Sequence, residues 1–349
     1  MLYYFYEHFH INIFHYVTFR AIVAFFLSFL ITLTLMPKFI KIAKKFKQPI
    51  FELAPQEHQK KDAPTMGGVV FILSAVISIL LTTAINQYVV LAIITLLYFM
   101  CLGIVDDLGK VLGKSNQKGL SAKQKFIFQW IGALGISISL YLLKFDTHLY
   151  IPFYKHPVFD MGVLAIIFWA FIIVSMSNSV NLTDGLDGLA TVPSIFSLFT
   201  LAVFLYIIGN YKFSDYLFFP FELGSGELTI VAFALIGTLL GFLWYNAHPA
   251  EVFMGDSGSL ALGAIIGYLA IIAKSEILLI LIGFVFIAET VSVILQVGSY
   301  KTRGKRVFKM APIHHHFELL NWKENKITIR FWIIALIMNL IAILSIKIR

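Results

Sequence analysis

Residues with side chains suited to chemistry are concentrated in one short polar segment, residues 178–188, between two long apolar runs. The segment contains Asn181, Asp184 and Asp187, with a glycine directly after each aspartate. Carboxylates at the edge of a membrane are costly unless they are paired, solvated or bound to a ligand. Asp-Gly pairs are also typical of ordinary turns. The segment therefore indicates either a turn or part of a polar site, and the location of similar segments decides between the two.

Three further aspartates have the chemistry of a magnesium or phosphate site. Asp106 and Asp107 directly follow an apolar run, and Asp256 lies between Gly255 and Gly258 before another. Glycines let a phosphate or metal approach the backbone closely, and carboxylate oxygens suit Mg²⁺. Asp256 is the predicted ligand, although a carboxylate here could simply stabilise a helix N-terminus. Adjacent helical residues point about 100° apart, so Asp106 and Asp107 are predicted to have different roles.

A histidine-rich segment and one helical face add polar groups. His314, His315 and His316 are consecutive and lie near several basic residues. A zinc site would need spaced ligands, so this pattern favours contacts with phosphate or sugar oxygens, or else a basic loop at an anionic membrane surface. Glu289 and Gln296 are seven residues apart on one predicted helical face. An ionisable residue there is expected to face the bundle interior, where it either joins helices or contacts substrate.

The composition is that of a membrane protein. Of the 349 residues, 59% are hydrophobic and 13% are charged, and the mean hydropathy is +0.85. Soluble domains carry roughly 25% charged residues, so we predict a single polytopic membrane domain over residues 1–349. The net charge of +8 is typical of lysine-rich cytoplasmic loops, and no nucleic-acid partner is expected. The single cysteine excludes a disulfide within the chain, and no cleavable signal peptide is evident.

Apolar windows long enough to span a bilayer predict an all-α bundle of ten transmembrane helices. The windows are 18–36, 67–86, 88–105, 126–143, 161–177, 189–208, 228–246, 257–273, 277–298 and 328–346, of which 161–177 and 257–273 are the shortest. The regions after the first, third and ninth windows, the last counted as far as Arg330, hold 20 of the 27 basic residues. Basic residues favour cytoplasmic loops, so the odd-numbered connections are predicted to be cytoplasmic and both termini to face the other side.

All the polar segments fall on these predicted cytoplasmic connections. Five connections that meet on one face are what an active site shared by a bundle requires. We therefore predict a magnesium-dependent site at the cytoplasmic membrane surface, where lysines and histidines bind phosphates and a nucleotide-bearing substrate is joined to a lipid phosphate. Taken singly, Asn246 and Lys60 could equally be an ordinary helix end and an ordinary solvated charge.

Three motifs resemble those of one enzyme superfamily. Asp106-Asp107, the sequence NLTDGLDG at 181–188 and FMGDSG at 253–258 resemble the polyprenyl-phosphate N-acetylhexosamine-1-phosphate transferases. The sequences PTMGG at 64–68 and APIHHHFE at 311–318 narrow the resemblance to the phospho-N-acetylmuramoyl-pentapeptide transferase type. The resemblance covers nearly the whole chain, with the motifs in the family's order.

The resemblance implies a fold, a reaction and a compartment. It implies ten transmembrane helices with periplasmic termini in the bacterial inner membrane, and a possible homodimer. The implied phosphoglycosyl transfer moves phospho-N-acetylmuramoyl-pentapeptide from its UDP carrier to undecaprenyl phosphate, and releases lipid I and UMP in the first membrane step of peptidoglycan synthesis. Direct attack by the lipid phosphate and a phospho-enzyme route both remain open.

The resemblance also implies roles for individual residues. Asp256 would bind Mg²⁺, and Asp106 and Asp107 would lie at the catalytic centre, where one of them deprotonates the lipid phosphate. Phe253 would stack on uracil. The remaining implied substrate-binding residues are Lys60, Thr65, Lys110, Lys125, Asn181, Asp184, Asp187, Asn246, Gln296, His314, His315 and His316.

The sequence leaves two alternative functions open. A related enzyme transfers N-acetylglucosamine-1-phosphate to the same lipid, and the histidine segment at 314–316 argues against it. An ion-coupled transporter is less favoured, because transporters place their polar groups near the midplane and often contain inverted repeats. Here the carboxylates lie at the ends of the predicted spans, and no repeat between the two halves is evident.

Overall fold

The structure is a computed structural model that describes residues 1–43, 63–113 and 119–348. Its helices are α1 (Leu2–Phe9), α2 (Val17–Ala43), α3 (Gly67–Thr82), α4 (Gln87–Gly113), α5 (Ala122–Leu142), α6 (Leu164–Thr183), α7 (Thr191–Ile208), α8 (Tyr211–Leu217), α9 (Glu227–Asn246), α10 (Gly255–Ile272), α11 (Leu279–Ile282), α12 (Phe284–Arg303), α13 (Ile313–Glu318) and α14 (Glu324–Leu344). A 3-10 turn covers Asn12–His15, and the short strands β1 (His148–Leu149) and β2 (Phe159–Asp160) pair antiparallel.

Long apolar helices confirm the predicted all-α membrane architecture. Within the described ranges, nine helices have the length and composition to cross a membrane. The predicted window 67–86 corresponds to α3, which has only 16 residues and is shorter than α6 and α10, the helices of the two windows expected to be the shortest. Helix α3 ends at Thr82, and two residues later the N–H of Ala84 donates to the Glu227 carboxylate. The count of ten spans therefore stays a prediction.

The predicted window 277–298 is divided into two helices. The short α11 and the longer α12 are separated at Gly283. Gly283 packs against the Met176 side chain, which an added Cβ would approach to 3.0 Å. A single glycine within an apolar run is compatible with one continuous helix, so the sequence did not predict the break at this position.

Helix α10 forms the centre of the bundle. Every residue of α10 except Asp256 is buried, and the helix contacts α3, α4, α6 and α7. Small residues permit this packing, as is typical of membrane helices. A Cβ on Gly68 of α3 would lie 2.2 Å from the Gly258 backbone, and one on Gly103 of α4 would lie 2.2 Å from the Asp256 carbonyl oxygen. The N-terminus of α10, which carries Asp256, is therefore held directly against α3 and α4.

A buried ion pair joins α2 to α9 near the opposite end of the bundle. Both terminal nitrogens of the Arg20 guanidinium donate to the two oxygens of Glu227, each at 2.6 Å. The Arg20 side chain is 1% exposed and that of Glu227 is 12% exposed. Arg20 also donates to the carbonyl of Thr82. Because the same glutamate accepts from Ala84, this pair ties the beginnings of α2 and α9 to the end of α3.

Glu227→Gln is expected to lower the free energy of unfolding by about 3–5 kcal/mol, because it leaves the buried Arg20 charge without its counter-ion. Thermal unfolding of the purified protein in detergent measures this. Glu7→Gln, in exposed α1, is the matched control and should not change the midpoint. The double variant Arg20→Met/Glu227→Met should recover most of the loss, and a double variant as unstable as Glu227→Gln would contradict the charge-pair explanation.

Candidate active site

Two lysines bridge two aspartates from different helices at one end of the bundle. The Lys110 ammonium lies 2.8 Å from Asp106 Oδ2 and 2.7 Å from Asp256 Oδ2. The Lys125 ammonium lies 3.3 Å and 2.6 Å from the same two oxygens. Asp106 and Lys110 are one turn apart on α4, Lys125 is in the first turn of α5, and Asp256 begins α10. The result is a partly buried cluster of alternating charge that connects three helices.

Asp107 points away from the lysines towards the backbone of α10. Its two carboxylate oxygens accept hydrogen bonds from the N–H groups of Asp256 at 3.1 Å and Ser257 at 3.0 Å. These are N–H groups of the first turn of α10, which have no partner within their own helix. Asp107 thus holds the N-terminus of α10 from α4, whereas Asp106 contacts the lysines. The two adjacent aspartates therefore have different surroundings.

Gly255 makes this close packing possible. Its φ of +72° is a left-handed conformation that favours glycine. An added Cβ would lie 2.7 Å from Asp107 Oδ2 and 2.8 Å from Thr65 Oγ1. The Thr65 side chain is buried, and its hydroxyl has no hydrogen-bond partner among residues 1–43, 63–113 and 119–348. A buried hydroxyl without a protein partner costs free energy unless a ligand or water bonds to it.

The end of α6 completes the surroundings of Asp256. Asn181, in the last turn of α6, donates from Nδ2 to Asp256 Oδ1 at 2.6 Å and to Ser259 Oγ at 2.8 Å. Asp184 follows directly after the helix. Burial raises the pKa of Asp184 well above its usual value, and the charges of Asp256 and Asp107 raise it further. The two oxygens of Asp256 thus have separate partners, a carboxamide on one and two ammonium groups on the other.

The turn after α6, residues 184–190, packs between the charged cluster and two other segments. On one side, an added Cβ on Gly185 would lie 2.3 Å from His314 Nε2. On the other side, Asp187 Oδ2 accepts from the Ala250 N–H at 2.9 Å and lies 3.0 Å from His248 Nδ1. Asp187, His248 and Glu324 each place one potential ligand atom within 4.8 Å of the others. The turn therefore joins the histidine segment to the connection between α9 and α10.

That connection is also hydrogen-bonded to the start of α3. The Phe253 N–H donates to the Pro64 carbonyl at 2.9 Å, and the Gly67 N–H donates to the Phe253 carbonyl at 2.9 Å. Asn246 is buried at the end of α9, where it donates to the Val252 carbonyl and accepts from the Thr191 hydroxyl, both at 3.0 Å. Both bonds of Asn246 fix the path of this connection and therefore the position of Phe253.

The histidine segment begins α13, and its three side chains have different partners. His314 is buried, with its Nδ1 3.2 Å from Glu289 Oε1 of α12. The His315 Nδ1 lies 2.5 Å from Glu318 Oε2, and the His316 Nδ1 accepts from the Lys309 N–H at 3.1 Å. Of the three, His314 is the one that packs against the turn at 184–190.

The sequence-predicted residues fall into three groups by position. The structure brings six together around the start of α10: Asp106, Asp107, Lys110, Lys125, Asn181 and Asp256. The second group surrounds this cluster: Thr65, Asp184, Asp187, Asn246, Phe253 and His314. Gln296 forms a third group with His315 and His316, bonded within the α12–α13 region, since Gln296 accepts from the Phe308 N–H at 2.9 Å and donates to the Phe308 carbonyl at 3.0 Å.

Lys60 lies outside the described residues, together with Lys44, Lys45, Lys47, Lys61, Lys114 and Lys118, which contributed to the predicted orientation. Sequence reasoning missed Ser259, His248 and Glu324. Ser259 was detectable, because it lies one turn after Gly255 beside the Asp256 motif. Glu324 gave no signal, since it contacts residues 137 positions away in the sequence.

Comparison with known proteins identifies the family to which this chain belongs. A model of glycosyl transferase family 4 matches residues 88–274, and the chain belongs to this family. Three relatives carry the name phospho-N-acetylmuramoyl-pentapeptide-transferase: those of Nautilia profundicola, 76% identical, and a Nitratiruptor species, 61% identical, both over 100% of each chain, and that of Campylobacter lari, 56% identical over 96% of this chain and 97% of its own. Within glycosyl transferase family 4, this chain belongs to the phospho-N-acetylmuramoyl-pentapeptide-transferase family.

Gly255→Ala should lower transferase activity by at least about tenfold, because the new Cβ would displace Asp107 and Thr65. The strained φ should also cost about 1–2 kcal/mol of stability. Steady-state rates and thermal unfolding measure the two effects. Gly135→Ala in α5 is the control, since nothing lies within 4 Å of its added Cβ, and it should leave both properties unchanged or slightly raise stability. Equal behaviour of the two variants would contradict the close packing at Gly255.

Proposed function

We propose that this chain is a magnesium-dependent phosphoglycosyl transferase. It transfers phospho-N-acetylmuramoyl-pentapeptide from its UDP carrier to undecaprenyl phosphate and releases lipid I and UMP. The observation that carries the proposal is the convergence of Asp106, Asp107 and Asp256 with Lys110 and Lys125 at one end of a membrane bundle. The names and full-length similarity of the relatives support the choice of substrates. The carboxylates lie in the last third of α4 and the first turn of α10 rather than at the middle of a helix, which also disfavours a transporter.

The donor set of the cluster fits Mg²⁺. The cluster contains three carboxylates, Asp106, Asp107 and Asp256, and two ammonium groups, which contact only Asp106 and Asp256, so one negative charge is not balanced. All the donors are hard oxygens, which Mg²⁺ prefers over the nitrogen and sulfur ligands typical of zinc. By the family resemblance Asp256 would hold the ion, and its Oδ2 becomes available to a cation when substrate phosphates bind Lys110 and Lys125. When bound, Mg²⁺ would neutralise charge on the diphosphate of the substrate.

In this proposal, Lys110, Lys125 and Asp106 change their contacts when the substrate binds. Lys110 and Lys125 bind substrate phosphates, which compete with Asp106 and Asp256 for the same ammonium groups. When these lysines bind the substrate phosphates, the Asp106 carboxylate loses its cationic partners and its proton affinity rises. It can then accept a proton from the lipid phosphate. Asp107 keeps the N-terminus of α10 in place during this exchange, because its oxygens bond to backbone rather than to lysine.

Side chains around the cluster bind the nucleotide and the sugar of the substrate. Phe253 stacks on uracil, and the turn at 184–190 and His314 contact the rest of the UDP-linked substrate. The unpartnered Thr65 hydroxyl provides one more hydrogen bond for a substrate oxygen. The concentration of basic residues on the odd-numbered connections supports a cytoplasmic location for this end of the bundle, and the family resemblance supports the bacterial inner membrane. A homodimer is the assembly expected from the family resemblance.

Asp256→Ala should abolish magnesium-dependent transfer and leave the protein folded. The substitution removes the carboxylate that Lys110, Lys125 and Asn181 surround. Product formation at saturating Mg²⁺ measures activity, and thermal unfolding verifies the fold. Asp215→Ala, in exposed α8, is the matched control and should keep full activity. Near-normal turnover by Asp256→Ala would rule out this carboxylate as the metal ligand.

The substrate itself is tested with two UDP-sugars. The purified protein with undecaprenyl phosphate and Mg²⁺ should consume UDP-N-acetylmuramoyl-pentapeptide and release UMP. Under the same conditions UDP-N-acetylglucosamine should react at least about a hundredfold more slowly, since a site that discriminates through hydrogen bonds rejects analogues that lack them. Consumption of UDP-N-acetylglucosamine alone would identify the N-acetylglucosamine-1-phosphate transferase instead.

A further inference from the structure

The C-terminal helix α14 holds the turn at 184–190 through two hydrogen bonds to its backbone. The Asp187 N–H donates to Glu324 Oε1 at 3.0 Å, and Trp332 Nε1 donates to the Gly188 carbonyl at 3.1 Å. Glu324 is the first residue of α14 and is 5% exposed. Gly188 has a φ of +71°, so this part of the turn has a left-handed backbone. Two peptide groups of the turn, 186–187 and 188–189, are therefore hydrogen-bonded to one helix that carries none of the sequence motifs.

Glu324 also reaches the side chain of Asp187 indirectly, through His248. The His248 Nδ1 lies 3.0 Å from Asp187 Oδ2 and 3.4 Å from Glu324 Oε2. Asp187 Oδ2 accepts from the Ala250 N–H as well. The backbone of Asp187 is thus held by α14, and its carboxylate is held by the connection between α9 and α10. These contacts determine where the Asp187 carboxylate points.

Apolar packing supports the same arrangement. Leu186 and Leu189 of the turn form a small buried cluster with Ile327 and Phe331 of α14. This cluster is separate from the main core around α10. Leu186 and Leu189 of the turn therefore pack against α14, whereas Ala190 at its end packs in the main core, and Gly185 contacts the histidine segment.

We propose that Glu324 and Trp332 are positioning residues that hold the turn at 184–190 in the conformation that binds the UDP-linked substrate. This inference rests on the proposed function. A preformed turn saves the free energy of ordering the backbone when substrate binds. Loss of either bond therefore weakens binding of the nucleotide and leaves the lysine–aspartate cluster, which α4, α5 and α10 supply, in place.

The test measures nucleotide binding and turnover separately. Glu324→Ala should weaken UMP binding, measured by calorimetry on the full-length protein, and raise the KM for the UDP-linked substrate, each by about tenfold. Trp332→Phe should change both by about fivefold. The kcat and the KM for undecaprenyl phosphate should stay within about twofold of wild type. Glu324→Gln should restore most of the affinity, because its amide oxygen still accepts the Asp187 N–H.

Asn339→Ala is the matched control on the same helix. Asn339 is buried and donates to the Ile282 carbonyl, away from the turn, so its loss should lower the unfolding temperature without changing UMP affinity. Glu324→Ala variants with unchanged UMP affinity, or with a loss confined to kcat, would overturn the proposal. A wild-type protein that binds UMP but transfers nothing would instead contradict the proposed function.

A metal ion bridging Asp187, His248 and Glu324 is distinguished in the same experiment. Wild-type UMP binding is measured in excess Mg²⁺ with and without the transition-metal chelator 1,10-phenanthroline. Direct hydrogen bonds predict no change. A chelator-dependent loss of UMP affinity, restored by Zn²⁺, would show that a metal rather than the hydrogen bonds holds the turn, and the proposal would be wrong.

Discussion

The bonds between Asp107 and the first turn of α10 are the interaction on which the site depends. They join the end of α4 to the beginning of α10, and so they place Asp106 and Asp256 where the same two lysines reach both. The carboxylate also lies at the positive end of the α10 dipole, which stabilises its charge. The close contact of Gly103 with the α10 backbone and the two bridging lysines act together with this junction to hold the two carboxylates near each other.

This junction needs close contact between backbones, which explains why glycines surround it. A side chain at Gly68 or Gly103 would separate α10 from α3 or α4. A side chain at Gly255 would displace the Asp107 carboxylate that is hydrogen-bonded to the first turn of α10. Hydrophobic burial gives little drive for helices to associate within a bilayer, so close packing has to provide the stability. The same glycines therefore serve the fold and the site.

The sequence predicted the helices and the end of the bundle that carries the polar groups, because apolar length and charge are local properties. It also predicted different roles for Asp106 and Asp107, since helix geometry alone separates adjacent side chains, and the structure gives the two carboxylates different partners. It did not predict the break at Gly283, the Arg20–Glu227 pair or the contacts of Glu324. These depend on which helices become neighbours, and no local pattern records that.

The site therefore combines charged groups on a deeply buried helix with a turn that a helix at the edge of the bundle supports. Asp256 is part of α10, whose other residues are all buried. The turn at 184–190 packs against α14, which has many exposed apolar residues. Groups that take part in the transfer need constant geometry, and an enclosed helix provides it. Groups that recognise the substrate tolerate more adjustment, because binding itself can order them. On this basis, Glu324 and Trp332 determine how firmly the turn is held, and they leave the groups around Asp256 unchanged.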